Sequence, residues 1–153
     1  MAVELRVSPH AEDYIRGSDM VSIMSGKWNE LYNIKIGKLG RVDLSHEFHV
    51  LLGVETENFN LMWSQRAFDY DWSAQKKFEM SYGSIPFQGT VDGFDKEKNI
   101  IIECKHTHGM NTMENMINFY MPQIQFYLYI SKAKQCLLSV ILGNKYDGVI
   151  IDA

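Results

Sequence analysis

Residues 87–107 of the chain read FQGTVDGFDKEKNIIIECKHT. The two ends of this segment are rich in aromatic and β-branched residues, whereas residues 95–99 in its middle are polar and charged. Such a pattern predicts two strands, over residues 87–94 and 100–107, joined by a tight turn. An antiparallel hairpin of this kind needs further elements to cover its apolar faces.

The flanking sequence supplies those elements. Alternating apolar residues from residue 77 predict a strand before the hairpin, and residues 135–142 and 148–151 predict strands after it. Helix-like spacing and capping residues predict helices over residues 18–24, 28–36, 46–68, 112–119 and 122–133. The predicted fold class is therefore α/β: a mixed central β-sheet, made of a three-strand antiparallel meander plus one or two further strands, flanked by helices.

The length and composition indicate one ordinary globular domain. At 153 residues, 46% of them hydrophobic, the chain fits a single domain over residues 1–153 with a sizeable core. Its longest apolar runs, such as residues 136–142, are far below the roughly 18 residues of a membrane span. Residues 1–6 lack the basic-then-apolar pattern of a signal peptide, so we expect a cytoplasmic protein with no membrane partner.

The cysteines and the net charge exclude few classes of function. Cys104 and Cys136 both fall in apolar strands, and the absence of a Cys-x-x-Cys pair argues against a zinc ribbon or an iron–sulfur site. We expect both to be buried free thiols. The net charge of −4 is unusual for a nucleic-acid binder, although a cluster of catalytic acids would itself lower the sum.

Three charged side chains interrupt the apolar hairpin: Asp92, Glu103 and Lys105. Charged residues are rarely buried without a partner, so their presence beside an isoleucine triplet requires a reason. If Asp95 pairs with Ile100 across the turn, the same register places Asp92 opposite Glu103, with Cβ atoms about 5 Å apart. Side chains alternate along a strand, so Lys105 shares the face of Glu103.

The same register makes two further predictions. Thr90 should lie opposite Lys105, and Cys104 should point into the core with Ile102. An ordinary surface hairpin with a Glu–Lys pair is the alternative interpretation, and the isoleucine triplet with the matched Asp92 weighs against it.

Two facing carboxylates repel each other unless a proton or a cation lies between them. Magnesium suits such a pair because it prefers oxygen ligands and keeps several of its waters, and manganese is a possible substitute. A neighbouring ammonium can orient or help deprotonate an attacking water and offset charge in the transition state. The spacing therefore favours metal-assisted hydrolysis of a phosphodiester.

Other candidate motifs are weaker. The histidine pairs His106 with His108 and His46 with His49 have spacings that zinc could use, but neither has a third ligand nearby in sequence. The sequence contains no phosphate-binding glycine loop, no Gly-x-Ser-x-Gly elbow and no dinucleotide fingerprint.

Asp92, the run Glu103-Cys104-Lys105 and the later Gln123 occur in an order known from one nuclease superfamily. Three further segments add to the pattern: YMPQIQ at residues 120–125, GVETE at residues 53–57, and RGSD at residues 16–19 followed by Lys35. Together they resemble the PD-(D/E)XK nuclease superfamily. The closer match is its YqaJ-like viral recombinase and phage lambda-type exonuclease branch, over roughly residues 15–144.

The resemblance implies a role for each matching residue. Asp92 and Glu103 would hold the metal, with the main-chain carbonyl of Cys104 as a further ligand. Lys105 would assist the attacking water. Gln123 would orient groups near the scissile phosphate from the adjoining helix.

Three more residues take part by the same resemblance. Glu57 would approach the metal from the long helix, while Ser18 and Lys35 would contribute to DNA binding. The fold implied is restriction-endonuclease-like.

The activity implied is that of a Mg²⁺-dependent deoxyribonuclease, most simply a 5′-to-3′ exonuclease acting on the ends of linear double-stranded DNA. Phage-type recombination or DNA processing would be its setting, with a single-strand annealing recombinase as a possible partner. An endonuclease of the same superfamily is one alternative. A non-catalytic module that binds nucleic acid or protein on this fold is the other. The oligomeric state is left open.

Overall fold

Five strands form one mixed sheet in which neighbours in space are neighbours in sequence. The strands are β1 (Ser73–Tyr82), β2 (Ile85–Asp95), β3 (Ile100–Thr107), β4 (Gln135–Leu142) and β5 (Lys145–Asp152). The first three strands form an antiparallel meander, β3 and β4 are parallel, and β4 and β5 are antiparallel. The structure, a computed structural model, describes residues 11–153. It confirms the predicted α/β class with a three-strand meander and two further strands.

The helices cover both faces of this sheet. They are a short 3₁₀ turn (Ala11–Asp13), α1 (Gly17–Met24), α2 (Trp28–Lys35), α3 (Phe48–Phe68) and α4 (Met113–Ser131). Helix α4 provides the crossover between the parallel strands β3 and β4, as the geometry of a parallel pair requires. Within the described residues, no helix is both long enough and apolar enough to cross a bilayer.

Strand β3 lies at the centre because its isoleucine triplet has neighbours on both faces. Ile101 packs in the apolar cluster beneath α4, whereas Ile100 and Ile102 pack with Leu61 of α3. All three isoleucines are essentially inaccessible to solvent. The turn pairs Asp95 with Ile100 across four residues, which confirms the predicted register.

Helix α4 is continuous through Pro122, whereas the sequence predicts two helices that meet there. A proline inside a helix removes one main-chain hydrogen bond and normally costs about 3 kcal/mol. The residues after Pro122 are mostly buried, and Ile124 and Leu128 pack into the cluster that contains Ile101. Burial of this face against the sheet offsets the local cost of the proline.

Strand β1 begins at Ser73, four residues before the predicted start. Gln75 adopts a φ of 53°, and the pairing with β2 skips it between Ala74 and Lys76. A left-handed residue in a strand distorts the ladder and hides the period-two pattern. Sequence periodicity therefore misses the first part of this strand.

A close approach between β2 and α4 depends on Gly89. A Cβ placed on Gly89 would lie 2.7 Å from Tyr127 Cε1 and 2.7 Å from Ile130 Cδ1, both on buried side chains of α4. No such restriction exists at Gly53 in α3, where an added Cβ meets nothing within 4 Å.

These two glycines give a matched prediction. Gly89→Ala should lower the free energy of unfolding by about 1–3 kcal/mol, because the core cannot accept an extra methyl group without shifting. Gly53→Ala should raise it by about 0.5–1 kcal/mol, because alanine favours the helix. Chemical denaturation of both variants measures these changes. Equal effects of one sign would contradict the close packing of β2 on α4.

Candidate active site

Strands β2 and β3 separate just before the three charged side chains. The ladder between them ends at Gly93 and Ile102, and the next residues outward are Asp92 and Glu103. Beyond this point β2 stays paired with β1, while β3 stays paired with β4. The two acids therefore lie where a fork opens in the sheet.

The predicted pairing of Thr90 with Lys105 is wrong, because the ladder does not reach them. Thr90 pairs instead with Lys77 of β1 and is exposed. In place of a main-chain bond at the fork, the N–H of Cys104 donates to Asp92 Oδ2 over 2.7 Å. A side chain thus completes the end of the ladder and leaves space between the strands.

Glu103 is 3% exposed, and its two carboxylate oxygens have different surroundings. Oε1 accepts hydrogen bonds from Lys105 Nζ and, over 3.0 Å, from Gln123 Nε2. Oε2 is equally buried, yet no donor among the described residues reaches it. A buried oxygen without a protein donor is costly in a native protein, so this oxygen is suited to accept a water or to bind an ion.

Burial and mutual charge shift the pKa values of this cluster. Burial, together with the charge of Glu103, raises the pKa of Asp92 well above its usual range. Burial alone would lower the pKa of Lys105, but the charges of Glu103 and Asp92 outweigh it and raise that pKa above its ordinary value. Lys105 is therefore held as an ammonium beside Glu103.

Helix α3 carries Glu57 near the strands of the fork. Gln75 of β1 donates from Nε2 to Glu57 Oε1 over 2.5 Å. Gln75 is also the residue whose left-handed backbone distorts the start of that strand. The negative charge of Glu57 contributes to the raised pKa of Asp92, so the two groups lie within electrostatic range.

Tyr127 and Tyr120 belong to the site, although sequence reasoning assigns them no role. Gln123 Nε2 donates to Tyr127 Oη over 3.1 Å as well as to Glu103, so both amide hydrogens are used. The ring of Tyr120 lies 4.8 Å from Lys105 Nζ, within cation–π distance. The only available signal for Tyr127 is its spacing of four from Gln123 on one helix face.

Cys104 takes the predicted orientation. Its side chain packs with Ile102 in the cluster beneath α3, on the face opposite Glu103 and Lys105. Burial raises the pKa of the thiol, followed by the effect of the Asp92 charge, so the sulfur stays protonated. Only the main chain of Cys104 is positioned to serve the acids.

Ser18 lies on α1 and Lys35 on α2, outside the strands that carry the acids. Lys35 Nζ forms ion pairs with Asp19 at 2.8 Å and Glu12 at 3.1 Å, so its charge is largely neutralised. Ser18 is exposed in the first turn of α1. No hydrogen bond or ion pair of the described residues joins either of them to Asp92.

The residues present fit a hard divalent cation with few protein ligands. Within residues 11–153, no group of three or more His, Cys, Asp or Glu side chains converges to hold an ion. Magnesium does not need such a cage, because it commonly uses one or two carboxylates and keeps its waters. Asp92, the unpartnered Glu103 Oε2 and a main-chain carbonyl would form a donor set of that kind. His106, a zinc candidate by spacing, instead contacts Thr56 Oγ1 at 3.1 Å and the carbonyl of Gly143 at 3.2 Å.

Comparison with known proteins gives no match in sequence and a clear match in fold. No protein-family model matches the chain, and no curated protein matches it significantly. Three solved structures of exonucleases have the same fold. This chain shares the fold of those three structures.

Two of these structures are of an alkaline exonuclease from Laribacter hongkongensis, one of them in complex with dAMP. The complex has a TM-score of 0.71 at 13% identity, and the other a TM-score of 0.68 at 14% identity. Each comparison covers 92% of this chain and 77% of the exonuclease. A phage-related exonuclease from Haemophilus somnus has a TM-score of 0.66 at 12% identity, covering 96% of this chain and 74% of the other. The restriction-endonuclease-like fold expected from the motifs is thereby confirmed.

The raised pKa of Asp92 predicts how its removal affects stability. A folded-state pKa above the unfolded value stabilises the protein only at low pH, and that contribution is lost as the pH rises through the folded pKa. Asp92→Asn should therefore raise the melting temperature of the metal-free protein at neutral pH by a few degrees, since 1 kcal/mol corresponds to about 2–4 °C in a chain of this size. The gain should shrink as the pH falls towards about 4.

Asp95→Asn is the matched control with the opposite sign. Burial opposes the charge of Asp95, but the N–H groups of Asp71 and Lys98 outweigh it and lower the pKa of this carboxyl. Its substitution should lower the melting temperature at neutral pH and have less effect at acid pH. Thermal unfolding in a chelator across this pH range checks both variants. A destabilised Asp92→Asn at neutral pH would contradict the electrostatics of the fork.

Proposed function

We propose that this chain is a Mg²⁺-dependent deoxyribonuclease, with Mn²⁺ as a substitute, that hydrolyses phosphodiester bonds. The proposed mode is exonucleolytic, 5′ to 3′, on the ends of linear duplex DNA in phage-type recombination or DNA processing. The observation that carries the proposal is the buried, unpartnered Glu103 Oε2 at the fork beside Asp92. The exonuclease fold of the three similar structures supports the mode.

The acids and one carbonyl define where a metal would bind. Asp92 and Glu103 would supply carboxylate oxygens, and the main-chain carbonyl of Cys104 would be a third donor. When bound, the divalent cation supplies a Lewis acid for the phosphoryl oxygens and a more acidic water. Glu57 would add negative charge from α3 on the outer side of the site.

Lys105 acts in this scheme as a fixed cation. Its ammonium donates to Glu103 Oε1, and its raised pKa disfavours loss of the proton. A cation held in this place orients an attacking water and offsets the negative charge that develops on the phosphate. Tyr120 limits the movement of the ammonium by covering it with an aromatic face.

Gln123 positions Glu103 rather than reacting itself. Its two amide hydrogens are donated to Glu103 and Tyr127, so its carbonyl oxygen is turned away from both. That oxygen is then available to accept from a water or a DNA group at the mouth of the site. Glu103 Oε1 is meanwhile occupied by protein donors, which leaves Oε2 for the metal.

Cleavage of two DNA forms tests the activity and its mode. We expect Mg²⁺ to allow loss of linear duplex DNA while covalently closed circles persist, with a 5′ end label released before a 3′ label. Cutting of the circle would replace the proposal with an endonuclease. If neither form is cleaved with Mg²⁺ or Mn²⁺, a non-catalytic binding module is favoured instead.

Lys105→Ala should lower the cleavage rate at least about 100-fold at saturating DNA, because it removes the positioned cation. Lys134→Ala is the control, because Lys134 is exposed and lies at the opposite end of β4. Single-turnover rates of both variants, with thermal unfolding as a check of folding, give the comparison. A Lys105→Ala variant as active as Lys134→Ala would refute the assigned role.

Tyr127→Phe should leave the fold intact and raise the Mg²⁺ concentration needed for half-maximal cleavage by several-fold. The hydroxyl that fixes the Gln123 amide is lost, and changes in the outer shell of a metal site typically cost about 10–100-fold in affinity or activity. Tyr129→Phe, on an exposed tyrosine of the same helix, is the control. An unchanged metal dependence in Tyr127→Phe would show that Gln123 needs no such support.

A further inference from the structure

A cavity of about 390 Å³ lies beside the candidate active site on the α3 side of the sheet. It is at the carboxyl ends of the parallel strands β3 and β4, where α/β sheets commonly bind ligands. Thr56 and His106 line it, and they are the chain neighbours of Glu57 and Lys105. His106 faces away from Lys105 across the strand, so a ligand that reaches both regions must pass over the end of β3.

Three aromatic side chains line this cavity: Phe59, Trp63 and Tyr146. The rings of Trp63 and Tyr146 meet edge to face, with centroids 6.0 Å apart and planes at 71°. Trp63 is nevertheless 42% exposed and Phe59 54% exposed, which is high for large aromatic residues. Exposed rings held in a fixed orientation suit the stacking of another flat ring, as in proteins that bind single-stranded DNA.

The rim of the cavity carries a positive charge. Lys145 begins β5, is exposed, and forms no ion pair with the residues that the structure describes. Asn144 beside it adds an amide that can donate and accept. In a chain of net charge −4, a cation next to exposed aromatic rings favours a ligand that combines a phosphate with an aromatic base.

A buried polar network makes the floor of the cavity rigid. Asn60 is 1% exposed; its Nδ2 donates to the carbonyl of Ser139 over 2.9 Å and to that of Lys105 over 3.3 Å. Ser139 Oγ donates to Asn60 Oδ1 over 2.6 Å and is 2.8 Å from Tyr146 Oη. The floor is thereby bonded to the main chain of the proposed catalytic lysine.

We propose that this cavity binds one unstacked nucleotide of the DNA strand that enters the active site. The base stacks against Trp63 and Phe59, and a backbone phosphate lies near Lys145. The volume is at the lower end of the roughly 300–1,000 Å³ typical of ligand pockets, which suits a single nucleotide. This inference rests on the proposed nuclease function, because it assigns a strand-binding subsite to the same site.

Tryptophan fluorescence tests the stacking directly. In the presence of a chelator, single-stranded oligothymidine of about five nucleotides should quench the wild-type emission, a length within the site sizes of known single-strand binders. Trp63→Phe should lose this quenching, whereas Trp28→Phe, which removes an exposed tryptophan of α2, should retain it. Equal quenching in both variants would overturn the proposal. Equally strong quenching by thymidine monophosphate would also overturn it, in favour of a free-mononucleotide site.

Affinity measurements give a second, independent reading. Trp63→Ala should weaken oligonucleotide binding about 10-fold, the loss expected for one stacked base. Lys145→Gln should reduce the slope of log affinity against log salt by about 0.7, the value for one phosphate contact on a single strand, whereas Lys134→Gln should not. Lys145 is exposed, so its substitution remains informative even if Trp63→Ala fails to fold. Wild-type affinity and slope in Lys145→Gln would contradict the assigned phosphate contact.

The two proposals fail separately. If the wild type digests linear DNA but Trp63→Ala and Lys145→Gln keep the wild-type KM and affinity, the subsite is wrong and the nuclease function stands. If the wild type cleaves no DNA yet shows the Trp63-dependent quenching, the nuclease function is wrong and the nucleotide site stands. If the wild type cleaves DNA and the subsite stacks a base, Trp63→Ala should raise KM by a larger factor than it lowers kcat.

Discussion

A buried carboxylate on the central strand is the constraint on which the site depends. Glu103 lies on β3, which is covered by α3 on one face and α4 on the other. Removing an anion from water costs several kcal/mol unless donors replace the lost hydration. Lys105 and Gln123 supply donors to one oxygen only. The other oxygen receives no hydrogen bond from the described residues, and a bound water or cation would offset that cost.

The fork between β2 and β3 provides space for a partner of the buried Glu103 oxygen. In a continuous ladder, the backbones of Asp92 and Glu103 would be held at the fixed spacing of paired strands. The ladder stops one residue earlier, and Asp92 bonds to the N–H of Cys104 through its side chain. The strands can then diverge without leaving that amide unsatisfied. The same divergence opens the sheet beside the two acids, although Glu103 itself stays buried.

Local structure is predictable from the sequence here where a single effect, such as apolar burial or turn formation, determines the conformation of a segment. The isoleucine triplet and the polar turn determine the hairpin register, and that register places Asp92 and Glu103 one residue beyond the last pair of the ladder. Prediction fails where tertiary packing overrides a local preference, as at Pro122, or where a left-handed residue such as Gln75 hides a strand. The role of Tyr127 cannot be predicted from the sequence for a related reason. It depends on a hydrogen bond with Gln123, which the apolar spacing of the helix does not reveal.

Helix α3 links the acid cluster to the aromatic cavity, and its geometry explains how one helix can serve both. Glu57 points to the β1 side, where Gln75 holds it, whereas Thr56 and Asn60 point to the end of β3 and β4. Asn60 bonds to the carbonyls of Lys105 and Ser139, so it ties both parallel strands to the helix at the level of the site. Movement of α3 would displace the fork and the cavity together. The protein backbone would therefore fix the position of a DNA strand bound in the cavity relative to the acids. No separate contact would be needed to align the strand with them.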